Sequence, residues 1–309
     1  MRLDPVSLRL FVAVMEEGTI AAAAAREHLA AAAVSRRLSE LEQALDAPLF
    51  QRSNKGTQAT AAAHTLLGLA RGVLHGLDDI GEQMAGFASG LRGHVRVSAN
   101  ISAITQFLPD QLRSFLDKAP LVRVHLHERI STQIARAVAD STDDIGILNT
   151  GDYGEALTLL PYREDELVLV VPQGHVLARR KSATMREALA HDFVGVHPGS
   201  AINNLLHRVA GEAGLRLRLR MQVTSYDALS LMVAAGLGIG VMPRGSALIY
   251  LRALKMRAVT LNEPWARRQL VICVRSLESL SPAGRMLVEH LQAGGPVRRA
   301  ELPPGVGAL

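Results

Sequence analysis

The segment IAAAAAREHLAAAAVSRRLSELE, from Ile20 to Glu42, contains neither glycine nor proline and is rich in alanine. Because alanine is the strongest helix former, propensity alone predicts one long helix. In a continuous helix Val34 and Leu38 would share an apolar face, whereas Leu29 would point roughly 140° away from it, into water. A turn around Leu29–Ala31 would let Leu29 fold back into a core. We therefore predict two helices, although the usual turn residues are absent.

The flanking sequence predicts the other elements of a winged helix-turn-helix. Asp4–Pro5 is a helix start signal and Gly18 is a stop signal, so a first helix is expected over residues 4–18. Short extended segments around a turn at Asn54–Gly56 predict a small β-hairpin, or wing. In such a domain the helix before the wing lies in the DNA major groove, and nearby basic residues hold phosphates.

The helix before the wing and the wing itself carry basic and hydroxyl side chains. Residues 1–60 contain seven basic and seven acidic residues, so DNA binding requires the charges to be segregated by face. The alternative is that these are ordinary solvated charges. The predicted DNA contacts are Ala31, Ala32, Ser35, Arg36, Arg37, Ser39, Arg52 and Lys55.

A long helix is predicted after Thr60, where apolar residues recur in alternating steps of four and three. So narrow an apolar stripe is typical of a helix that pairs with another helix. A helix packed on its own domain is the alternative, but charged flanks such as Arg71 and Glu82 favour solvent on the other faces. The predicted dimerisation residues are Leu66, Ala70, Val73, Leu77, Ile80, Met84 and Phe87.

Strands and helices alternate from about residue 94 to residue 292, with a helix expected over 102–117 and a strand over 166–172. This alternation predicts an α/β domain with helices on both faces of a sheet. Ligands of such sheets bind where strands end and helices begin. Hydroxyl and amide groups there suit a small anion, although plain helix capping is the alternative role. The predicted ligand contacts are Asn100, Ile101, Ser102, Arg129, Ser131, Pro198, Gly199, Ser200, Asn203, Ser225 and Asp227.

The N-terminal motifs resemble the signature of LysR-type transcriptional regulators. The matching segments are LRLFVAVMEEGTIAAAAA, residues 8–25, and AVSRRLSELEQALDAPLFQRSNKGTQAT, residues 33–60. The resemblance is strong over residues 3–90 and looser beyond them. It implies that the second half is a two-lobed α/β effector-binding domain, similar to type 2 periplasmic binding proteins.

The resemblance also implies a domain order and a set of partners. The expected units are a winged helix-turn-helix at 1–60, a linker helix at 61–90, an effector-binding domain at 91–293 and a flexible tail at 294–309. Lobe I would comprise about 91–160 and 268–293, and lobe II about 161–267. The expected partners are promoter DNA, a small-molecule effector, further copies of the chain as a dimer or dimer of dimers, and RNA polymerase.

The sequence departs from the family pattern at the helix junction. The family usually has Ser-Gln-Pro or Ser-Gln-Ser where this chain has Ala30–Ala32, and tends to have Leu where Glu27 stands. Ala31 cannot donate a hydrogen bond to a base, although it can contact a thymine methyl group. Losing a Ser cap costs about 0.5–2 kcal/mol. We therefore expect weak direct base readout, with phosphate contacts and DNA shape supplying more of the binding.

The remaining sequence features favour a cytoplasmic protein that is neither an enzyme nor a membrane protein. The N-terminus offers no secretion signal, and no apolar run is long enough to span a membrane. Cys273 lies in a predicted apolar strand, where a buried role is favoured over a nucleophilic one. AAGLGIGVMP, residues 234–243, runs from helix to strand, opposite to a dinucleotide-binding loop. His125 and His127 form a pair without a third metal ligand. No cofactor is expected, and the alternatives are a stand-alone small-molecule-binding protein or an enzyme on a bilobal fold.

Overall fold

The computed structural model describes residues 3–53, 56–86, 92–154 and 156–293. Its N-terminal domain consists of three helices followed by a β-hairpin at the position of the predicted wing. The elements are α1 (Pro5–Glu17), α2 (Ile20–Arg26), α3 (Ala31–Leu45), β1 (Phe50–Ser53) and β2 (Gly56–Ala59). The strands pair antiparallel. The predicted limits of α1 are confirmed, because the Asp4 carboxylate accepts a hydrogen bond from Ser7 N and Gly18 ends the helix at φ 74°.

The alanine-rich segment forms two helices, as predicted, but the reason we gave for the turn is wrong. Leu29 remains 45% exposed instead of folding into the core. The chain turns at His28, which adopts φ 54°. The buried side chains of α2 are Ala23 and Ala24, which belong to the N-terminal core. The turn therefore allows a small, flat alanine face to pack closely, without burying a large apolar residue.

α4 (Ala61–Gly86) follows the wing and packs its first half in the same core. Ala63 and Ala70 are fully buried there, and Leu66 is half-buried. The start of α4 is capped by Thr60, whose hydroxyl accepts a hydrogen bond from Ala63 N. The second half of α4 extends beyond the N-terminal core.

The second half of the chain is a mixed α/β structure in two lobes. Its strands are β3 (Gly93–Ala99), β4 (Val122–Glu128), β5 (Ile145–Asn149), β6 (Thr158–Pro172), β7 (Ser182–Ala183), β8 (Phe193–Val196), β9 (Leu219–Val223), β10 (Gly240–Pro243), β11 (Met256–Leu261) and β12 (Arg267–Val274). Its helices are α5 (Ile101–Gln106), α6 (Leu108–Lys118), α7 (Ser131–Ala139), α8 (Met185–Ala188), α9 (Ala201–Glu212), α10 (Tyr226–Ala234), α11 (Arg244–Leu251) and α12 (Pro282–Ala293).

Two of the predicted elements in this half are wrong. The single helix expected over 102–117 is two helices that meet at Phe107, where Pro109 lies in the first turn of α6. The strand expected over 166–172 begins at Thr158 instead, because β6 passes through both lobes. The polar residues 163–166 interrupted its apolar pattern and concealed its first half.

β6 and β12 connect the two lobes. β6 pairs with β12 as far as Glu166, which lies opposite Arg267, and then with β10 and β11 from Leu167 onward. The chain therefore crosses into lobe II between Glu166 and Leu167, later than the boundary near residue 160 expected from the sequence. Each lobe has its own apolar core. The space between them lies at the carboxyl ends of β3, β4, β8 and β9.

Candidate functional site

A cleft of about 130 Å³ lies between the lobes. Its volume is below the roughly 300–1,000 Å³ of pockets for drug-sized ligands, which favours a small ligand. Six of the residues predicted from the sequence line it: Asn100, Ile101, Ser102, Arg129, Ser131 and Ser200. The cleft is also lined by Glu128, Ile130, Gln133, Asn149, Val196, His197, Ala201, Ile202, Thr224, Tyr226 and Arg268.

The other five predicted ligand contacts do not line the cleft. Asn203 is a buried residue of α9, and the Ser225 hydroxyl caps α10 by accepting a hydrogen bond from Ala228 N at 3.1 Å. Asp227 is exposed and accepts a hydrogen bond from Tyr250 Oη. Pro198 and Gly199 lie on the exposed loop before α9. Of these five residues, Ser225 takes the capping role that competed with ligand contact.

Two long helices begin at the cleft. α7 starts at Ser131, and no side chain caps it because its N-cap residue is Ile130. α9 starts after Ser200, whose hydroxyl accepts a hydrogen bond from Asn203 N at 3.2 Å. Free backbone N–H groups and the helix dipole at such positions favour an anion.

Two amide groups at the cleft lack hydrogen-bond partners within the described part of the chain. Asn100 uses Oδ1 to cap α5, accepting from Ala103 N at 2.9 Å, while its buried Nδ2 is unpaired. Asn149 directs Nδ2 to the Ser131 hydroxyl at 3.5 Å and leaves Oδ1 unpaired. A buried polar group without a partner is costly, so these atoms are ready to bond a ligand.

Arg268 sits at the base of the cleft in a network that spans both lobes. Its Nε donates to Asp165 Oδ1 at 2.9 Å and its Nη2 donates to the other carboxylate oxygen. Nη2 also lies 3.3 Å from the Ser102 hydroxyl, which is 3.3 Å from Tyr226 Oη. Burial raises the pKa of Tyr226 to about 12, so its phenol is neutral at pH 7. Asp165 thus compensates the charge of Arg268, and the network joins the two lobes.

The second arginine at the cleft is also held by a carboxylate. Arg129 Nε lies 3.6 Å from Asp143 Oδ2 and donates to the Ser98 hydroxyl at 3.1 Å. His127 contacts the same buried carboxylate at 3.2 Å. His127 is therefore committed to Asp143. Among the described residues, no group of three or more His, Cys, Asp or Glu is arranged to hold a metal ion.

The predicted DNA-contacting residues of α3 have different degrees of exposure. Ala31, Ala32, Arg36 and Ser39 are exposed, whereas Ser35 is half-buried. Arg37 is directed to the start of α1, with Nη1 3.5 Å from Asp4 Oδ1. The side chains of Arg52 and Lys55 lie outside the described residues. Ala30 precedes α3 without a side-chain cap, as the sequence predicted.

The predicted dimerisation residues separate into two groups along α4. Ala70 is buried in the N-terminal core, and Leu66 is half-buried against it. Leu69 is exposed although it was not among the predicted dimerisation residues, and Phe87 lies outside the described residues. The exposed apolar side chains, here called the α4 apolar face, are Leu69, Val73, Leu77, Ile80 and Met84.

Comparisons with known proteins match both halves of the chain. Residues 6–64 match the model of bacterial regulatory helix-turn-helix proteins of the lysR family, and residues 88–296 match the LysR substrate binding domain. A probable RuBisCO transcriptional regulator from Trichormus variabilis is 28% identical over 237 residues, covering 75% of this chain and 70% of that protein. No described helix is long and apolar enough to cross a membrane.

Two solved structures share the fold at low identity. Full-length CbnR complexed with its target DNA is similar with a TM-score of 0.66 and 22% identity, covering 94% of this chain and 99% of that one. The effector binding domain of QuiR in complex with shikimate has a TM-score of 0.59 and 18% identity, covering 66% of this chain and 97% of that one.

Proposed function

The chain belongs to the LysR family of transcriptional regulators, and we propose that its effector is a small anionic metabolite held between the two lobes. The unpaired amide atoms of Asn100 and Asn149 carry this proposal. They offer one donor and one acceptor beside the uncapped start of α7. A carboxylate at the helix starts and a hydroxyl or amide at the asparagines would satisfy every one of these groups.

The charges around the cleft support a ligand with few negative charges. Arg129 and Arg268 are both balanced by buried carboxylates, and Glu128 also lines the cleft. A polyanion would therefore lack free cationic partners. Shikimate, which is bound by QuiR, is a hydroxylated monocarboxylate of the kind that we propose for this chain.

We propose that α3 enters the major groove of promoter DNA. CbnR, which shares the fold, forms a complex with its target DNA. Ala31 and Ala32 offer only apolar contacts, and Arg36 is the exposed cation of this helix. Arg36 also lies 3.7 Å from Glu40, a weak exposed pair that a phosphate would replace. Phosphate contact would then outweigh base readout.

The α4 apolar face supports pairing of two chains through this helix. Five large apolar side chains in a row would otherwise remain in water. Such a dimer would present two α3 helices to successive major grooves. Assembly into a dimer of dimers, contact with RNA polymerase and a cytoplasmic location are further parts of this proposal.

A stand-alone solute-binding protein or an enzyme on the bilobal fold is not favoured. Neither alternative accounts for the helix-turn-helix match over residues 6–64. A regulator uses both halves of the chain.

A thermal-shift screen of small hydroxylated carboxylates against the full chain tests the effector proposal. Any ligand found is then titrated against Asn100→Asp, which keeps the α5 cap but replaces the free donor with a negative charge. We expect affinity to fall at least tenfold. Asp227→Asn, which alters an exposed carboxylate outside the cleft, should bind as the unaltered chain does. Equal binding by both variants would refute the cleft site.

A further inference from the structure

A second cavity, here called the distal pocket, lies at the end of lobe II opposite the interlobe cleft. It is formed where β6 ends at Pro172 and where β8 and β10 begin. Its volume of about 360 Å³ exceeds the 130 Å³ of the cleft. The glycine-rich segment 236–239, which does not fit a dinucleotide-binding loop, forms one wall.

The glycines of this wall expose the backbone to the pocket. Gly236 adopts φ 76°, and a Cβ on Gly238 would lie 2.8 Å from the carbonyl oxygen of Asp192. A side chain is therefore excluded at Gly238 and strained at Gly236. The functional side chains of the pocket come from the opposite wall and from β9.

The cationic groups of the distal pocket outnumber its free carboxylates. Asp192 is paired with Arg218, with Nε 3.0 Å from Oδ1. Arg220 lies two residues further along the chain, is exposed, and has no carboxylate partner among the described residues. An uncompensated guanidinium at the rim of a cavity favours an oxyanion.

Two histidines in the same pocket supply further donors. The rings of His175 and His191 meet edge to face, with centroids 4.5 Å apart. His175 Nδ1 accepts a hydrogen bond from Leu177 N at 3.2 Å, so its Nε2 carries the proton in the neutral ring. Burial and the neighbouring His191 lower the pKa of His175. The Nε2–H of His175 is therefore a donor suited to an oxyanion in the pocket.

The charge balance of lobe II supports the same ligand. Residues 167–266 contain twelve Lys and Arg against five Asp and Glu, a net charge of +7. The whole chain carries +5, so the basic excess lies in lobe II and not in the neutral residues 1–60. A basic lobe concentrates anions at its concave surfaces.

We propose that the distal pocket is a second ligand site, which binds a compact tetrahedral oxyanion of the phosphate type through Arg220, His175 and His191. A transition metal is disfavoured, because His175 Nδ1 and the Asp192 carboxylate are already engaged. The charged groups around the two histidines are Asp192, Arg218 and Arg220. Arg220 supplies the positive charge at this site, and the neutral His175 ring donates through Nε2.

The test follows the histidine ring signals of the full chain by NMR at pH 7.5 during titration with sulfate. Variants His175→Asn and His191→Asn assign the signals, and inorganic phosphate is titrated at the same pH for comparison. We expect saturable shifts of both rings and at least tenfold weaker binding in Arg220→Gln.

Two controls make the result specific. Arg186→Gln removes the same charge from the exposed surface of α8, outside the pocket, and should leave binding unchanged. Asn100→Asp alters only the interlobe cleft and should also leave it unchanged. Equal weakening in Arg220→Gln and Arg186→Gln, loss of the shifts in Asn100→Asp, or non-saturating shifts would each overturn the proposal.

Discussion

Asp165 and Glu166 are adjacent on β6 and each pairs with an arginine, but only one pair is buried. The exposed fractions are 0% for the Asp165 side chain and 10% for Arg268, against 33% for Glu166 and 40% for Arg244. Asp165→Asn would leave Arg268 buried without a counter-charge, which costs about 3–5 kcal/mol of unfolding free energy. Glu166→Gln breaks a solvated pair and should cost below about 1 kcal/mol.

Trp265 provides the readout for this comparison. It is the only tryptophan in the chain, lies three residues before Arg268 and packs against the lobe II core. Its fluorescence therefore follows unfolding of the effector domain. For a domain of this size, 1 kcal/mol shifts Tm by roughly 2–4 °C, so Asp165→Asn should lower Tm by roughly 6–20 °C. Glu166→Gln should lower it by less than about 4 °C.

The double variant Asp165→Asn, Arg268→Gln separates charge from packing. It removes both charges, so it should recover part of the stability lost in Asp165→Asn. Equal losses in the two single variants would refute the reasoning, since burial would then not decide the cost. A double variant less stable than Asp165→Asn would show that the loss does not come from uncompensated charge.

Three further substitutions test other parts of the structure. Ile80→Glu places charge on the α4 apolar face and should give monomers in light scattering where the unaltered chain is dimeric; a persisting dimer would contradict pairing there. Ala30→Ser should restore the missing cap and slow amide exchange in α3, a gain of about 0.5–2 kcal/mol that unchanged exchange would refute. Burial lowers the pKa of His75 from 6.5 to about 4. The unfolded chain then binds the proton first, so stability falls from pH 6.5 to 4, and His75→Gln should flatten this fall in urea midpoints.

Local signals allowed much of the N-terminal domain to be predicted from the sequence. Asp4 and Gly18 fix the ends of α1 through hydrogen bonds and φ angles that depend on only a few neighbouring residues. The α4 periodicity identified an apolar stripe but not what covers it. Ala70 is covered by its own domain and Ile80 is not, a difference that depends on tertiary packing.

The cleft could be predicted only in part, for a similar reason. Asn100 directly follows β3 and Ser131 comes three residues after the end of β4, so their position was visible in the sequence. Arg268 and Tyr226 line the cleft because two distant segments meet across the lobes. Asp227 is a polar residue in the first turn of a helix, where a ligand contact is expected, yet its side chain faces solvent beside Tyr250. Helix caps and ligand contacts share one sequence pattern, and only the arrangement of the lobes separates them.

The central claim is that this chain binds DNA through α3, mainly by phosphate contact. Its most direct test is the salt dependence of binding to DNA upstream of its own gene, measured by fluorescence anisotropy for the full chain and for Arg36→Ala. We predict that log Kd rises linearly with log salt concentration, and that Arg36→Ala binds more weakly with a slope lower by about 1 for each α3 bound. Salt-insensitive binding, or an unchanged slope in Arg36→Ala, would contradict the account.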